Sequence, residues 1–291
     1  MSALAALEHS PALLITATLL LGLLVGSFLN VVILRAPQML FREWRAQARE
    51  ILEQPADSAD TEPFNLVRPA SHCPNCGHGI KPWENIPVLS WVVLRGKCSG
   101  CGAAISPRYP AVELATGLLS AIVAWQLGWG VELFPALILT WVLIALSGID
   151  IDHQILPDNM TLPALWLGLI LALVPVFVSP TDAILGAVAG YLSLWLVFQA
   201  FRLATGKEGM GYGDFKLLAL LGAWLGWAAL PVIILLSALV GAVAGILMIL
   251  LLGRDRQLPI PFGPYLAGAG WLALLWGDDL TNFYLSISGL A

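Results

Sequence analysis

Eight apolar runs, each about long enough to cross a bilayer, constrain this chain more than any other feature. They cover residues 12–33, 109–127, 133–149, 161–178, 183–201, 215–230, 231–252 and 261–276. A hydrocarbon layer of about 30 Å needs about 20 helical residues. The runs lack the period-two alternation of barrel strands, so helices are the expected solution, because a helix satisfies its own backbone in lipid. Composition agrees: only 11% of residues are charged, against about 25% in soluble proteins. The expected fold class is an all-α polytopic membrane protein with about eight transmembrane helices. The run 215–230 is the shortest, and Pro231 reads as either a kink or a boundary. No Lys or Arg precedes the first run, so it reads as a retained span rather than a cleaved signal.

Residues 35–108 differ from everything around them. They hold nine of the 14 Lys and Arg residues, many prolines and all four cysteines. This segment reads as an extramembrane domain between the first and second spans. Three parts are therefore expected: a first transmembrane helix (1–34), a loop domain (35–108) and a seven-helix membrane domain (109–291). Residues 38–52 mix Trp44, Ile51 and Leu52 with Arg42, Arg45 and Arg49, as an interfacial amphipathic helix does. Residues 54–63 read as a flexible loop. If the loop domain is cytoplasmic and the spans alternate, Arg202, Lys207, Lys216, Arg254 and Arg256 also fall at cytoplasmic ends. All 14 basic residues then lie inside and both termini lie outside. The net charge of −5 gives no reason to expect nucleic acid.

Within the loop, Cys73-Pro-Asn-Cys76 and Cys98-Ser-Gly-Cys101 are separated by 21 residues. Paired C-x2-C units followed by Gly77 and Gly102 point to a tetrahedral Zn(II) site of four thiolates. Two disulfides are the alternative, disfavoured in a reducing cytoplasm. His72 and His78 flank the first pair, but four thiolates already complete the site.

Two acidic clusters lie where apolar runs end: Asp150-Ile-Asp152-His-Gln-Ile-Leu156-Pro-Asp158, and Asp214 within Gly209-Met-Gly211-Tyr-Gly213-Asp214-Phe-Lys216. The alternating topology puts Asp150 and Asp214 at the same cytoplasmic boundary. Carboxylates at such depth are costly and mark function. Two of them about 4 Å apart repel by about 4 kcal/mol at an effective dielectric of 20, so the pair is expected to share one proton near neutrality. One member then activates water and the other polarises a carbonyl. Asp150 ends a helix and Asp214 begins one, so helix dipoles alone would seat the proton on Asp150. The three glycines offer uncovered backbone beside the acid, where an extended substrate could lie. Asp152 and Asp158 read as solvated loop or cap residues, and Glu113 as the partner of a basic residue or a lining of the cleft. Gly26 and Ser27 suit close helix approach, and Asn30 a bond to a second helix. Chemistry alone leaves a protease and an ion pathway both open for the aspartate pair. A scaffold whose zinc domain docks a secretion complex is a third reading.

Taken together, Gly26 to Val31, the tetracysteine loop, Ile149-Asp150-x-Asp152, Leu156-Pro157-Asp158, Gly209 to Lys216 and Pro261-Phe-Gly263-Pro-Tyr265 resemble the bacterial type IV prepilin peptidases, in order and over nearly the whole chain. The resemblance implies an inner-membrane aspartic protease with its active site at the cytoplasmic face and both termini periplasmic. Such enzymes cut the leader from prepilins and pseudopilins after a glycine. They then methylate the new amino terminus with S-adenosyl-L-methionine. Asp150 and Asp214 match the catalytic positions. The implied partners are these substrates, membrane lipid, and components of type IV pilus or type II secretion assemblies. No G-x-G-x-x-G unit offers a methyl-donor site. Gly96 and Lys97, before the second cysteine pair, are the candidate contacts.

Overall fold

The computed structural model describes residues 3–55, 63–253 and 260–288. Most of the loop 54–63, together with Arg254 and Arg256, lies outside the described residues. Among the described residues the fold is helical, and the only strand pairing is two isolated antiparallel bridges. Among the described residues, five helices are long and apolar enough to cross a membrane. The chain divides into two compact units, Met1–Leu133 and Phe134–Ala291.

In the first unit, a short helix α1 (Ala3–His9) leads into α2 (Pro11–Ile51). Ser10 caps α2 by accepting the amide of Leu13, and Pro11 occupies the first turn, where its missing N–H costs nothing. At 41 residues, α2 is about 60 Å long, twice the hydrocarbon thickness. The expected break near Arg35 is absent, so the first span and the amphipathic segment form one helix. Charges end a span but not a helix, and the helix runs through Pro37, the one breaker in this stretch.

Helix α4 (Arg108–Leu127) packs along α2 through small residues. A Cβ added at Gly26 would lie 2.7 Å from the Glu113 Cα, and one at Gly22 would lie 2.5 Å from the Ser120 Oγ. Helix association in lipid rests on such close contact, because apolar burial gives no drive there. Asn30 Nδ2 donates to the Tyr109 carbonyl at 3.1 Å, the cross-helix bond its position suggests.

Between α2 and α4 lie a 3-10 turn (Pro82–Asn85), the one-turn helix α3 (Leu89–Val93) and two knuckles of equal design. In each knuckle the amide of the first cysteine bonds a carbonyl five residues on, Cys73 to His78 and Cys98 to Ala103. The glycine after the second cysteine bonds back, Gly77 to Cys73 and Gly102 to Cys98. Gly77 and Gly102 have φ of +70° and +72°, a conformation costly for residues bearing a Cβ.

The second unit is built around α8 (Tyr212–Leu225), whose residues Asp214, Phe215 and Leu217–Trp224 are all buried. Its neighbours are α6 (Asp158–Leu173), α7 (Pro180–Thr205) and α10 (Gly263–Ser288). Gly186 of α7 faces Gly222 of α8 backbone to backbone, and a Cβ on either would overlap the other's carbonyl oxygen. One turn along, a Cβ at Gly190 would lie 2.6 Å from the Leu218 carbonyl oxygen. Trp224 fills the space over Gly168 and donates its indole N–H to the Ala164 carbonyl at 2.8 Å. With only 14 residues, α8 is about 21 Å long and is enclosed by its neighbours rather than fitted to the bilayer. It ends at Gly226 (φ +78°), and after a 3-10 turn Pro231 opens α9 (Leu230–Leu252), so Pro231 is a boundary. Helix α10 kinks at Trp276, where the last apolar run ends. Helix α5 (Leu133–His153) joins the same core through Leu139, Leu143 and Leu146, and the Trp271 indole of α10 donates to Thr140 Oγ1 at 3.1 Å.

Candidate active site

Asp150 sits in the last turn of α5, 5% exposed. The helix is closed by Gln154, whose φ of +55° lets its amide bond the Asp150 carbonyl at 2.9 Å. Asp150 Oδ2 accepts the amide of Gly263, the first residue of α10, at 2.9 Å. A Cβ on Gly263 would lie 2.7 Å from that same oxygen, so this position needs glycine. Gly263 is the site residue that chain order does not reveal. The signal was a glycine held between Pro261-Phe262 and Pro264 at a helix start, and it carried no stated role.

Asp214, 8% exposed, lies in the first turn of α8 and comes within electrostatic reach of Asp150. The two carboxyls expected to act together are thus brought together from segments 64 residues apart (150 to 214). Leu156 spans both halves of the site. Its side chain covers Gly213 (2.8 Å to a built Cβ) and also Gly263 (3.3 Å). Two residues on, Asp158 receives Lys216 Nζ on both carboxylate oxygens at 2.7 Å, tying the start of α6 to the start of α8. Asp158 is therefore an ion-pair partner, whereas Asp152 is an exposed residue of α5's last turn.

Two expectations change. Of the three glycines around the acid, Gly209 is covered by the Phe201 ring and Gly213 by Leu156. Gly211 alone is open, its built Cβ 4.0 Å from Asp214 Oδ2. The backbone available beside the acid is the Gly211 turn, not the whole stretch. Further, the helix-end argument that seats the proton on Asp150 loses its basis. Its carboxyl meets the N-terminal turn of α10, so both acids face helix N-termini. With Oδ2 engaged by an amide, a proton carried by Asp150 sits on Oδ1.

Among the described residues, Glu113 pairs with no basic side chain. It is buried in α4 and accepts the amide of Val88 at 2.7 Å, holding a γ-turn of φ +60° whose Leu89 amide reaches back to Pro87.

The four cysteines converge, their sulfurs all within 4.8 Å of one another. Cys73 and Cys101 are 3.9 Å apart, and Cys76 and Cys98 4.0 Å. A disulfide needs about 2.05 Å, whereas the edge of a tetrahedron with Zn–S bonds of about 2.3 Å is about 3.8 Å. The knuckle amides point at the sulfurs. Those of Asn75 and Cys76 hold the Cys73 thiol below its usual range, and that of Ala103, with the Asn75 side chain, brings Cys101 to about 6. Cys76, compressed against the other sulfurs, is pushed up to about 12. The donor set fits a soft divalent cation that takes all four as thiolates. His78 is occupied elsewhere, 3.1 Å from both Glu84 Oε2 and Ser99 Oγ. The Lys81 amide, Ser99 and His78 together hold the Glu84 carboxyl down to about 2.

Gly96 has φ of +67°, and its built Cβ would lie 2.9 Å from the Trp91 ring, while Lys97 is exposed. The turn itself accounts for the glycine.

Residues 20–127 match the Bacterial Peptidase A24 N-terminal domain and residues 137–246 the Type IV leader peptidase family. The chain is 58% identical to the prepilin leader peptidase/N-methyltransferase of Stutzerimonas stutzeri, over 98% of each chain. It is 58% identical to that of Pseudomonas aeruginosa, over 97% of each. With that of Aeromonas hydrophila it shares 57% identity, over 98% of this chain and 99% of the relative. No solved structure gives a significant match. On these matches, and on a buried aspartate pair and a four-cysteine cluster in the order that the resemblance implied, the chain belongs to the type IV leader peptidase family.

Proposed function

We propose that this protein is a membrane aspartic endopeptidase that removes the leader from type IV prepilins and pseudopilins and then N-methylates the new amino terminus. The observation that carries the reading is the pair of buried carboxyls, Asp150 and Asp214, in a member of this family. Among the described residues, neither is paired with a basic side chain that would reduce it to a structural ion pair.

Sharing one proton, the pair performs both halves of a hydrolysis. The ionised carboxylate takes a proton from water as the oxygen attacks the scissile carbonyl, and the protonated partner donates to the carbonyl oxygen. Collapse of the tetrahedral intermediate breaks the C–N bond, and the proton taken from water passes to the leaving amine. Gly263 fixes one carboxyl through its amide, and the open Gly211 turn leaves room for substrate backbone beside the other.

The four cysteines hold structural Zn(II), and the thiolates leave no coordination position for substrate. The methyl donor, S-adenosyl-L-methionine, is assigned to the ribbon around Gly96 and Lys97, where the Lys97 ammonium suits its carboxylate. When bound it supplies an electrophilic methyl group. Because the turn explains Gly96, substitution of Lys97 is the informative test of that assignment. The basic residues favour an inner-membrane protein with the ribbon and the aspartates at the cytoplasmic face, both termini periplasmic. Prepilins feed type IV pilus and type II secretion assemblies, the partners this reading implies.

Purified protein with a prepilin peptide and labelled methyl donor tests the proposal. Cleavage after the leader glycine, with label on the new terminus, is expected. An intact peptide, together with ion flux through vesicles holding the protein, would favour an ion pathway instead.

A further inference from the structure

The first unit carries an apolar face that the catalytic reading does not use. On α3, Leu89, Val92 and Val93 are 56%, 58% and 70% exposed. Their i, i+3, i+4 spacing sets them on one side of the turn. Trp83 (64% exposed) and Ile86 extend the face, and with Leu89, Val93 and Leu94 they line a shallow cavity of about 320 Å³. These residues belong to none of the eight apolar runs, so lipid contact is not implied by the sequence. On a water-facing domain, a patch of this kind is a liability unless something covers it.

What covers it follows from its depth. The Val88 amide that opens α3 is bonded to Glu113, five residues inside α4. Five residues of helix are about 7 Å, and glutamate leans back toward the helix N-terminus by part of that. Since α4 is a candidate membrane span of 20 residues, about 30 Å long, the start of α3 lies alongside the first turns of a helix within the bilayer. That depth is the headgroup boundary. The side chains present suit that layer. Trp83 is the amphipathic aromatic favoured there, Lys81 Nζ sits 5.4 Å from the centre of its ring, and Lys81 and Arg95 are exposed close by in sequence. Cations that extend toward phosphates while their stems cover apolar surface complete an interfacial site.

We propose that α3 and Trp83 form a membrane-docking face, by which the zinc ribbon dips into the headgroup layer of an anionic phospholipid bilayer and is held there by the Glu113 to Val88 bond. The ribbon is then fixed in height against its own span, rather than hanging from flexible connections.

The test uses the full chain in nanodiscs of phosphatidylethanolamine and phosphatidylglycerol, with a photoactivatable diazirine residue at Val93, at Val92 or, as control, at exposed Ser71 beside the first knuckle. Mass spectrometry of adducts is expected to find phospholipid at positions 92 and 93, severalfold above position 71. Because all three side chains are exposed, the labels leave packing intact, and bound zinc confirms the fold of each variant. Water-quenched label at 92 and 93 with lipid no higher than at 71 overturns the proposal. So does crosslinking to a second copy or to added prepilin peptide in place of lipid, since the face then belongs to a protein partner.

Discussion

The four-cysteine ribbon and the helical core around α8 hold their functional residues by opposite means. The ribbon has almost no interior: Cys73 and Gly96 are buried while Trp83, Val92 and Val93 are exposed, and its shape comes from two knuckles, positive-φ glycines and a ring of sulfurs. The core around α8 is the reverse, with backbone against backbone at Gly186 and Gly222 and buried residues at Phe215 and from Leu217 to Trp224. A site that depends on a bound ion fails locally when the ion leaves. A site that depends on packing is disturbed by a single carbon atom. The comparison yields predictions that differ in kind as well as in size.

The largest effect falls on the ribbon. Removing zinc with a strong chelator, or replacing Cys73 with Ser, should cost residues 71–105 their hydrogen-exchange protection by orders of magnitude, because metal binding is folding free energy in such sites. Protection across Phe215 to Trp224 should not change, as measured by exchange mass spectrometry in nanodiscs. Equal loss in both regions would mean that the two are not held independently.

A smaller effect is expected from Gly263→Ala. The added carbon meets Asp150 Oδ2 at 2.7 Å and displaces the carboxyl by tenths of an ångström. Misplacement of about 1 Å costs a reacting group about 100-fold, so peptide cleavage should fall by about tenfold or more while the zinc content stays the same. Unchanged cleavage would remove Gly263 from the site.

Smallest is the clasp between Lys216 and Asp158. Both ends are partly exposed, so Lys216→Met should cost about 1 kcal/mol or less in stability. Its mark should instead appear as reduced turnover with unchanged KM, partly restored by exchanging the two charges. A loss that the exchange does not restore would make the pair a packing feature only.

How much of this was legible in the sequence follows the same division. The cysteine cluster could be read because its ligands come as two local units, and C-x2-C with a following glycine dictates the turn. The apolar helices were legible from length and composition, and five of the eight expected are, among the described residues, long and apolar enough to span a membrane. The pairing of Asp150 with Asp214 followed from counting topology, but its third member did not. Gly263 approaches Asp150 only because α10 packs beside α5, and nothing in local pattern records that approach. The continuity of α2 through Arg35 and Pro37 is not written in hydropathy, because the end of an apolar run is not the end of a helix. The helix-end argument for the proton loses its basis for a related reason. Each aspartate's own helix could be read, whereas the helix facing Asp150 could not. Local pattern likewise leaves Gly209 and Gly213 open, whereas Phe201 and Leu156, neither adjacent in sequence, cover them.

The central claim is that Asp150 and Asp214 act as one catalytic unit. The most direct test compares single-turnover cleavage of a prepilin peptide by Asp150→Asn, Asp214→Asn and the double variant, with membrane insertion and bound zinc verified for each. Each single substitution should lower the rate by about 100- to 10,000-fold, the range of a lost general acid or base. The double variant should be no slower than the worse single, because groups acting as a unit are not additive. If the two losses multiply, or if either single variant keeps near-normal cleavage, the aspartates do not form the pair described here.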